Sequence, residues 1–270
     1  LRSSWDDPNA AHVAITSGYD MHQGHNHQDE NAVAFYALGE DFLTDPGYWP
    51  DSSSSHTTLR INGAEQQVGS VGRIVDYRED TSGAFVRAQA PEAYPLVPNF
   101  IGHAERKIYF VRDPQPYLVW RDDVGIESKR PLNEVVSRYV TRIGNTITTR
   151  ADGAVIHGEN GRGSALLLAF AEEEPVAVRE DDLEGLSYLA NAQKEIVYTD
   201  HLKRLSATTV AHSPRLVTVV LPFRDEAELP TVDVDYEEAS DKSTVRLSFP
   251  DGRTDVIHFD ATNAEFSRSR

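Results

Sequence analysis

Residues 24–30, GHNHQDE, place His25, His27 and Asp29 at alternate positions. In an extended segment successive side chains alternate faces, so these three project together while Asn26 and Gln28 point away. The following residues, ENAVAFYALGEDFLTDPG, read as an outgoing strand, a turn near Gly39 and a returning strand ending at Asp45. Such a hairpin brings Asp45 back toward His27. After the loop PGYWPDSSSS, His56 opens a further strand, HTTLRING, whose first residue can lie beside both. Two imidazoles and one carboxylate leave room for water or a ligand, a mixed nitrogen and oxygen set that suits Zn²⁺. Spacing alone leaves two readings open, a metal site or a solvated polar edge rich in histidine.

The elements that must position these residues are strands. Short β-type runs recur with turn signals between them, among them NAVAFYALG, VGRIVDY, GAFVRAQ, KIYFVRD, PYLVWRD, SALLLAF, RLVTVVLPF and STVRLSFPDG. Many alternate in hydrophobicity, the period of a sheet with one buried face. Gly, Asn and Pro in ALGED, RINGAE and FPDGRTD make tight connections, so sequential antiparallel strands are expected. The predicted fold is all-β: a large antiparallel β-sandwich of two packed sheets with short helical turns. DDLEGLSYLANA and RPLNEVVSRYV are read as a turn or two of helix, DSSSS as a flexible loop, and the acidic stretch from Glu226 to Glu238 as a solvated connection before a last hairpin. Trp5 and Trp120 are expected in the core, and Trp49 beside the candidate site or on a sugar face. Arg60, Arg73 and Arg106 are read as residues of solvated faces.

Composition narrows the chemistry. The 270 residues carry a formal net charge of −17. Long-range repulsion therefore opposes general binding to nucleic acid or anionic membrane, and a polyanionic substrate needs local positive groups. Cysteine is absent, so any metal must use imidazole, carboxylate or water. No apolar run approaches the length of a membrane span, and the start lacks an initiator Met and a signal-peptide core, as expected of a piece of something longer.

Several ordered motifs together resemble the C-terminal half of the heparinase II/III-like polysaccharide lyases. They are Arg2-Ser3-Ser4-Trp5, the His25-x-His27-x-Asp29 segment before the hairpin, Asp45-Pro46-Gly47 at its end, and His56-Thr57-Thr58 running into Asn62-Gly63 and Gln66. The likeness is strongest over residues 1–66 and continues weakly through ERKIYFVRDPQPYLVWRDDV and PRLVTVVLPFR. It implies a single sandwich domain over residues 1–270, with a structural zinc held by His27, Asp45 and His56. It further implies that His25 lines the substrate cleft, as carboxylate partner or base, and that Asp29 orients a neighbouring histidine. Tyr48 is the tyrosine of the loop where relatives carry a catalytic one; an aromatic prop beside Trp49 is the alternative. Thr57 departs from the family's usual Asn.

The resemblance also implies the reaction and the partners. Members cleave uronic-acid-containing glycans, heparan sulfate-like or alginate-like, by β-elimination. They place an N-terminal α/α toroid before the sandwich and are periplasmic or secreted. The fragment alone is expected to be inactive. Two rivals remain: a non-catalytic carbohydrate-binding sandwich that keeps the metal clamp, and a cupin-like metal-dependent oxygenase or isomerase, whose ligand spacing Glu30 fits poorly.

Overall fold

The computed structural model describes residues 1–7, 9–19, 26–47, 52–95, 101–126, 132–181, 188–190, 196–198 and 202–270. Its spine is a long antiparallel sheet. In spatial order the strands are Thr146–Thr149, Gly153–His157, Ser164–Ala171, Arg215–Phe223, Tyr117–Ile126, Ile101–Val111, Gly83–Gln89 and Arg73–Glu79, with Glu174–Pro175 pairing beside Ser164–Ala171. The central strands are buried along nearly their whole length. Their sequences, YLVW and LVTVVL, are near-continuous apolar runs, which is the pattern of strands covered on both faces.

Two sheets lie over one face of this spine. One is the three-stranded set His12–Thr16, Ala32–Ala37 and Glu40–Leu43; the other has the order Arg179–Asp181, Leu202–Ala211, Asn133–Arg142 and Leu59–Ile61. Val13, Phe35, Phe42, Tyr139 and Leu205 from these sheets share one apolar cluster with Ile108, Phe110, Trp120 and Leu167 of the spine. The opposite face is covered by a C-terminal sheet of Thr231–Glu237, Lys242–Ser248, Thr254–Phe259 and Ala264–Ser269. Val245, Leu247, Ile257 and Phe259 from that sheet pack with Phe85, Val119, Leu166 and Val219. The expected β-sandwich is present, and the C-terminal sheet adds a third layer to it.

Several local expectations need correction. Residues 133–140 of RPLNEVVSRYV belong to the strand Asn133–Arg142, paired over ten residues with Leu202–Ala211, because sheet partners on both sides outweigh a weak helical pattern. Of DDLEGLSYLANA, Tyr188–Ala190 is a strand, and 182–187 and 191–192 lie outside the described residues. Ser53–Ser55 form a 3₁₀ turn with Ser53 and Ser55 buried, not a free loop. The acidic stretch contains the edge strand Thr231–Glu237, whose inward Val234 is buried. Trp5 is 81% exposed whereas Trp120 is fully buried. Among the described residues no helix is long and apolar enough to cross a membrane.

Candidate metal centre

The three ligands predicted from the sequence meet in space. One ligand atom each of His27, Asp45 and His56 can be chosen so that all lie within 4.8 Å of one another. His27 Nδ1 and His56 Nε2 are 3.0 Å apart, with ring centroids at 5.0 Å. His27 is half-buried, Asp45 exposed and His56 1% exposed. Burial, and then the charge of His27, push the His56 imidazole down to about 3, so it is a neutral nitrogen donor at physiological pH. Metals take neutral imidazole, which suits this arrangement. Tetrahedral zinc with bonds of about 2.0–2.1 Å sets its ligand atoms roughly 3.3 Å apart, close to the separation of the two nitrogens. Among the described residues His56 Nδ1 is buried without a hydrogen-bond partner, so none of them fixes its tautomer.

Each of the three residues arrives on a different segment. Asp45 follows the first hairpin, and its Oδ1 accepts from Gly47 N–H at 2.7 Å; Gly47 takes a φ of +82°, a value that favours glycine. His56 does not open its strand. It caps the 3₁₀ turn, three residues before Leu59–Ile61. The neighbouring residues Thr44 and Thr57 are both tied to Val140, whose C=O accepts from Thr44 N–H at 2.9 Å and whose N–H donates to Thr57 Oγ1 at 3.1 Å. Thr57, the departure from the family pattern, thus joins the strand Asn133–Arg142 to the site.

Arg106 is the residue that sequence reading misplaced. It is 1% exposed, not on a solvated face. Its Nε and Nη2 donate to the two carboxylate oxygens of Asp122 at 2.7 and 3.0 Å. Its Nη1 donates to the carbonyls of Asn31 at 2.9 Å and Thr57 at 2.7 Å. One buried guanidinium therefore binds the segment behind His27 and the residue after His56. Arg60 and Arg73 keep partial or full exposure, pairing with Glu134 and Glu92.

Gln66 makes a second clamp. Its Oε1 accepts from Glu30 N–H and its Nε2 donates to Glu30 C=O, both at 2.8 Å, while Nε2 also reaches Tyr94 Oη at 3.1 Å. The Glu30 carboxylate turns away from the cluster and accepts from Gly18 N–H at 2.7 Å. A Cβ on Gly72 would come to 2.0 Å from Glu30 Oε2, so a larger residue there would displace that carboxylate. Glu30 is thus not a member of the three-residue cluster, contrary to what a cupin-type ligand set needs. His25 and Tyr48, and Trp49 with them, lie outside the described residues. Asp29 is half-buried, and its backbone oxygen accepts from Ala32 N–H at 2.9 Å.

Layered antiparallel sheets bearing a mixed imidazole and carboxylate cluster at one end of a hairpin define an all-β sandwich domain with a candidate cation site. The family model of the heparinase II/III-like C-terminal domain matches residues 9–232, and the chain belongs to that family. In solved structures, a heparinase III with methylated lysines superposes with a TM-score of 0.70 at 14% identity, covering 96% of this chain and 40% of that one. The heparan sulfate lyase HepC from Pedobacter heparinus gives a TM-score of 0.70 at 11% identity over 97% of this chain and 41% of its own. A further heparinase III gives 0.67 at 16% over 96% and 41%. At these identities the likeness shows the fold, and the chain spans about 40% of the length of those relatives. No curated protein sequence matches the chain significantly.

Proposed function

We propose that this chain is the sandwich part of a polysaccharide lyase that cleaves a uronic-acid-containing glycan by β-elimination, and that His27, Asp45 and His56 hold a zinc ion. The observation that carries the reading is the convergence of those three side chains at the end of the segment that also contains His25. Membership of the heparinase II/III-like family and the names of the solved relatives support the substrate class. When bound, the ion supplies a positive charge that cross-links three segments. In this reading its task is structural.

The chemistry asked of the protein is removal of the weakly acidic proton on the carbon beside the sugar carboxylate. The C–H electron pair becomes the new C=C bond as the C–O bond to the neighbouring sugar breaks, and the departing oxygen takes a proton. His25 serves as carboxylate partner or base, since imidazole titrates near neutrality and can accept a proton or donate a hydrogen bond there. Tyr48 is assigned the proton delivery to the leaving oxygen. The Arg106 and Gln66 clamps keep the backbone on either side of the histidines in place, so that little reorganisation is needed as charge develops.

The remainder of the site belongs to an N-terminal toroid of the parent chain, and export to the periplasm or the medium gives the enzyme access to a polymer. The test is an assay of the full-length parent against a panel of uronate glycans, following ultraviolet absorbance of the new double bond. The expected result is release of unsaturated ends by the parent and little or none by residues 1–270 alone. Glycan binding without cleavage by the parent would instead select a non-catalytic binding role.

A further inference from the structure

We propose that a cavity remote from the candidate metal centre is a binding site for an acidic sugar, with Arg253 receiving the sugar's carboxylate. The proposal rests on the reading that the parent acts on a uronate glycan. The cavity has a volume of about 480 Å³ and is lined by Pro114, Gln115, Pro222, Phe223, Phe249 and Arg253, among others. That size falls in the range of roughly 300–1,000 Å³ usual for small-molecule sites. Leu38, at the turn of the first hairpin, also borders it. The six-residue strand Ala32–Ala37 separates that turn from the metal-ligand end, which places the cavity roughly 20 Å away at about 3.3 Å per residue.

Arg253 is the observation that points to a ligand. It is 3% exposed, and among the described residues its Nε and Nη1 are buried without a hydrogen-bond partner. Among the described residues it makes no ion pair, unlike the other deeply buried guanidiniums, Arg106, Arg121 and Arg138. A buried cation normally meets a carboxylate or fills its donor positions with carbonyls. Here the nearest compensation is the face of Phe249, with the guanidinium carbon 3.6 Å from the ring centroid.

The local backbone holds this arrangement in advance of any ligand. Phe249 N–H donates to Arg253 C=O at 2.8 Å, Gly252 N–H to Phe249 C=O at 3.0 Å, and Arg253 N–H to Asp251 Oδ1 at 2.9 Å. Gly252 sits at a φ of +86°, where glycine is favoured. The hairpin Phe249–Arg253 therefore folds its arginine back over its own aromatic ring at the cavity wall.

The candidate partner is a planar oxyanion, because Nη2 together with either Nε or Nη1 presents parallel donors that match a carboxylate. The remaining lining favours a sugar as its carrier. Phe223 and Phe249 offer aromatic surface for a ring face, and Gln115, Glu228 and Asp251 offer polar groups for hydroxyls. Arg224, exposed and without an ion pair among the described residues, adds a second positive charge to the lining. The lining sets Arg224 and Arg253 against the carboxylates of Glu228 and Asp251, so the attraction for an oxyanion comes from the buried Arg253 and not from a net positive field.

The experiment is calorimetric titration of residues 1–270 with a glucuronic acid-containing disaccharide, with cellobiose as the neutral match and sodium sulfate as the free oxyanion. Wild type should bind the uronate disaccharide at least tenfold more tightly than cellobiose or sulfate, and Arg253→Met should weaken uronate binding at least tenfold. Arg253→Met should also keep or raise the ligand-free Tm, since it removes an unpaired buried charge while retaining an apolar stem. Unchanged uronate affinity in Arg253→Met, equal binding of cellobiose or sulfate, or a lowered Tm in that variant would each overturn the proposal. The lyase reading fails separately: Arg253-dependent binding alongside a parent that releases no unsaturated ends would remove the enzyme and leave this site standing.

Discussion

Arg106 and Arg253 occupy opposite faces of the long sheet and differ in one respect that decides their roles. Both are buried, and both lie over an aromatic ring, Trp120 at 5.2 Å and Phe249 at 3.6 Å. Arg106 has an acceptor on each of its three nitrogens, from both oxygens of Asp122 and from two backbone carbonyls. Arg253 has two nitrogens with no acceptor. A buried charge whose partners are all within the chain holds structure together; one whose partners are missing costs stability unless something from outside completes it.

The largest effect expected from breaking the first of these is Arg106→Ala. It leaves Asp122 buried with only Trp120 Nε1 at 3.1 Å and Ser137 Oγ at 3.4 Å as donors, and frees the carbonyls of Asn31 and Thr57. Removing one member of a buried pair costs about 3–5 kcal/mol, which urea denaturation will read. The double change Arg106→Met with Asp122→Leu should recover much of that loss without recovering metal affinity, because the carbonyl clamp stays broken. Recovery of both would show that Arg106 acts only through the core.

Gln66→Ala comes next. It leaves the buried N–H and C=O of Glu30 without their side-chain partners, at a cost of about 1–3 kcal/mol. Zinc affinity should fall while the far cavity keeps its uronate binding, which separates the two ends of the molecule.

Acid sharpens the comparison further, because the paired networks titrate. Burial alone would raise the Glu65 carboxyl, but hydrogen bonding and charge from Arg138 outweigh it and hold it below its ordinary 4.5. Burial opposes Asp123 likewise, and the charges of Arg121 and Lys107 hold it below 3.8. Both groups bind protons less readily folded than unfolded. Their stabilisation is complete above those ordinary values and is lost as pH falls through the depressed ones. The urea midpoint should therefore drop below about pH 4.5, and Glu65→Gln should flatten the upper part of that fall. The smallest effect is that of Arg253→Met, whose ligand-free stability should be unchanged or slightly higher.

What the sequence made legible follows the range of each signal. The hairpin from Ala32 to Leu43 rests on alternation, a Gly39 turn and an Asp-Pro-Gly stop, all local features, whereas spacing left the grouping of His27, Asp45 and His56 open and the family resemblance selected it. The third layer was less visible, although continuous apolar runs such as SALLLAF and RLVTVVLPF are what burial on both faces produces. TVDVDYE alternates strictly, the period of a strand, although its three acids give it the composition of a solvated connection. Arg106 could not be placed from its neighbours in sequence, since its partners Asn31, Thr57 and Asp122 are 75, 49 and 16 residues distant. Trp5 shows the converse, a large aromatic that the fold leaves outside.

The central claim is that three side chains from separate segments hold one ion, and zinc titration of the chelator-stripped chain tests it most directly. The account predicts one zinc per chain, with binding abolished in His56→Ala and strongly weakened in His27→Ala and Asp45→Ala. Zinc uptake well below one per chain, or undiminished uptake by His56→Ala of native-like circular dichroism, would contradict it.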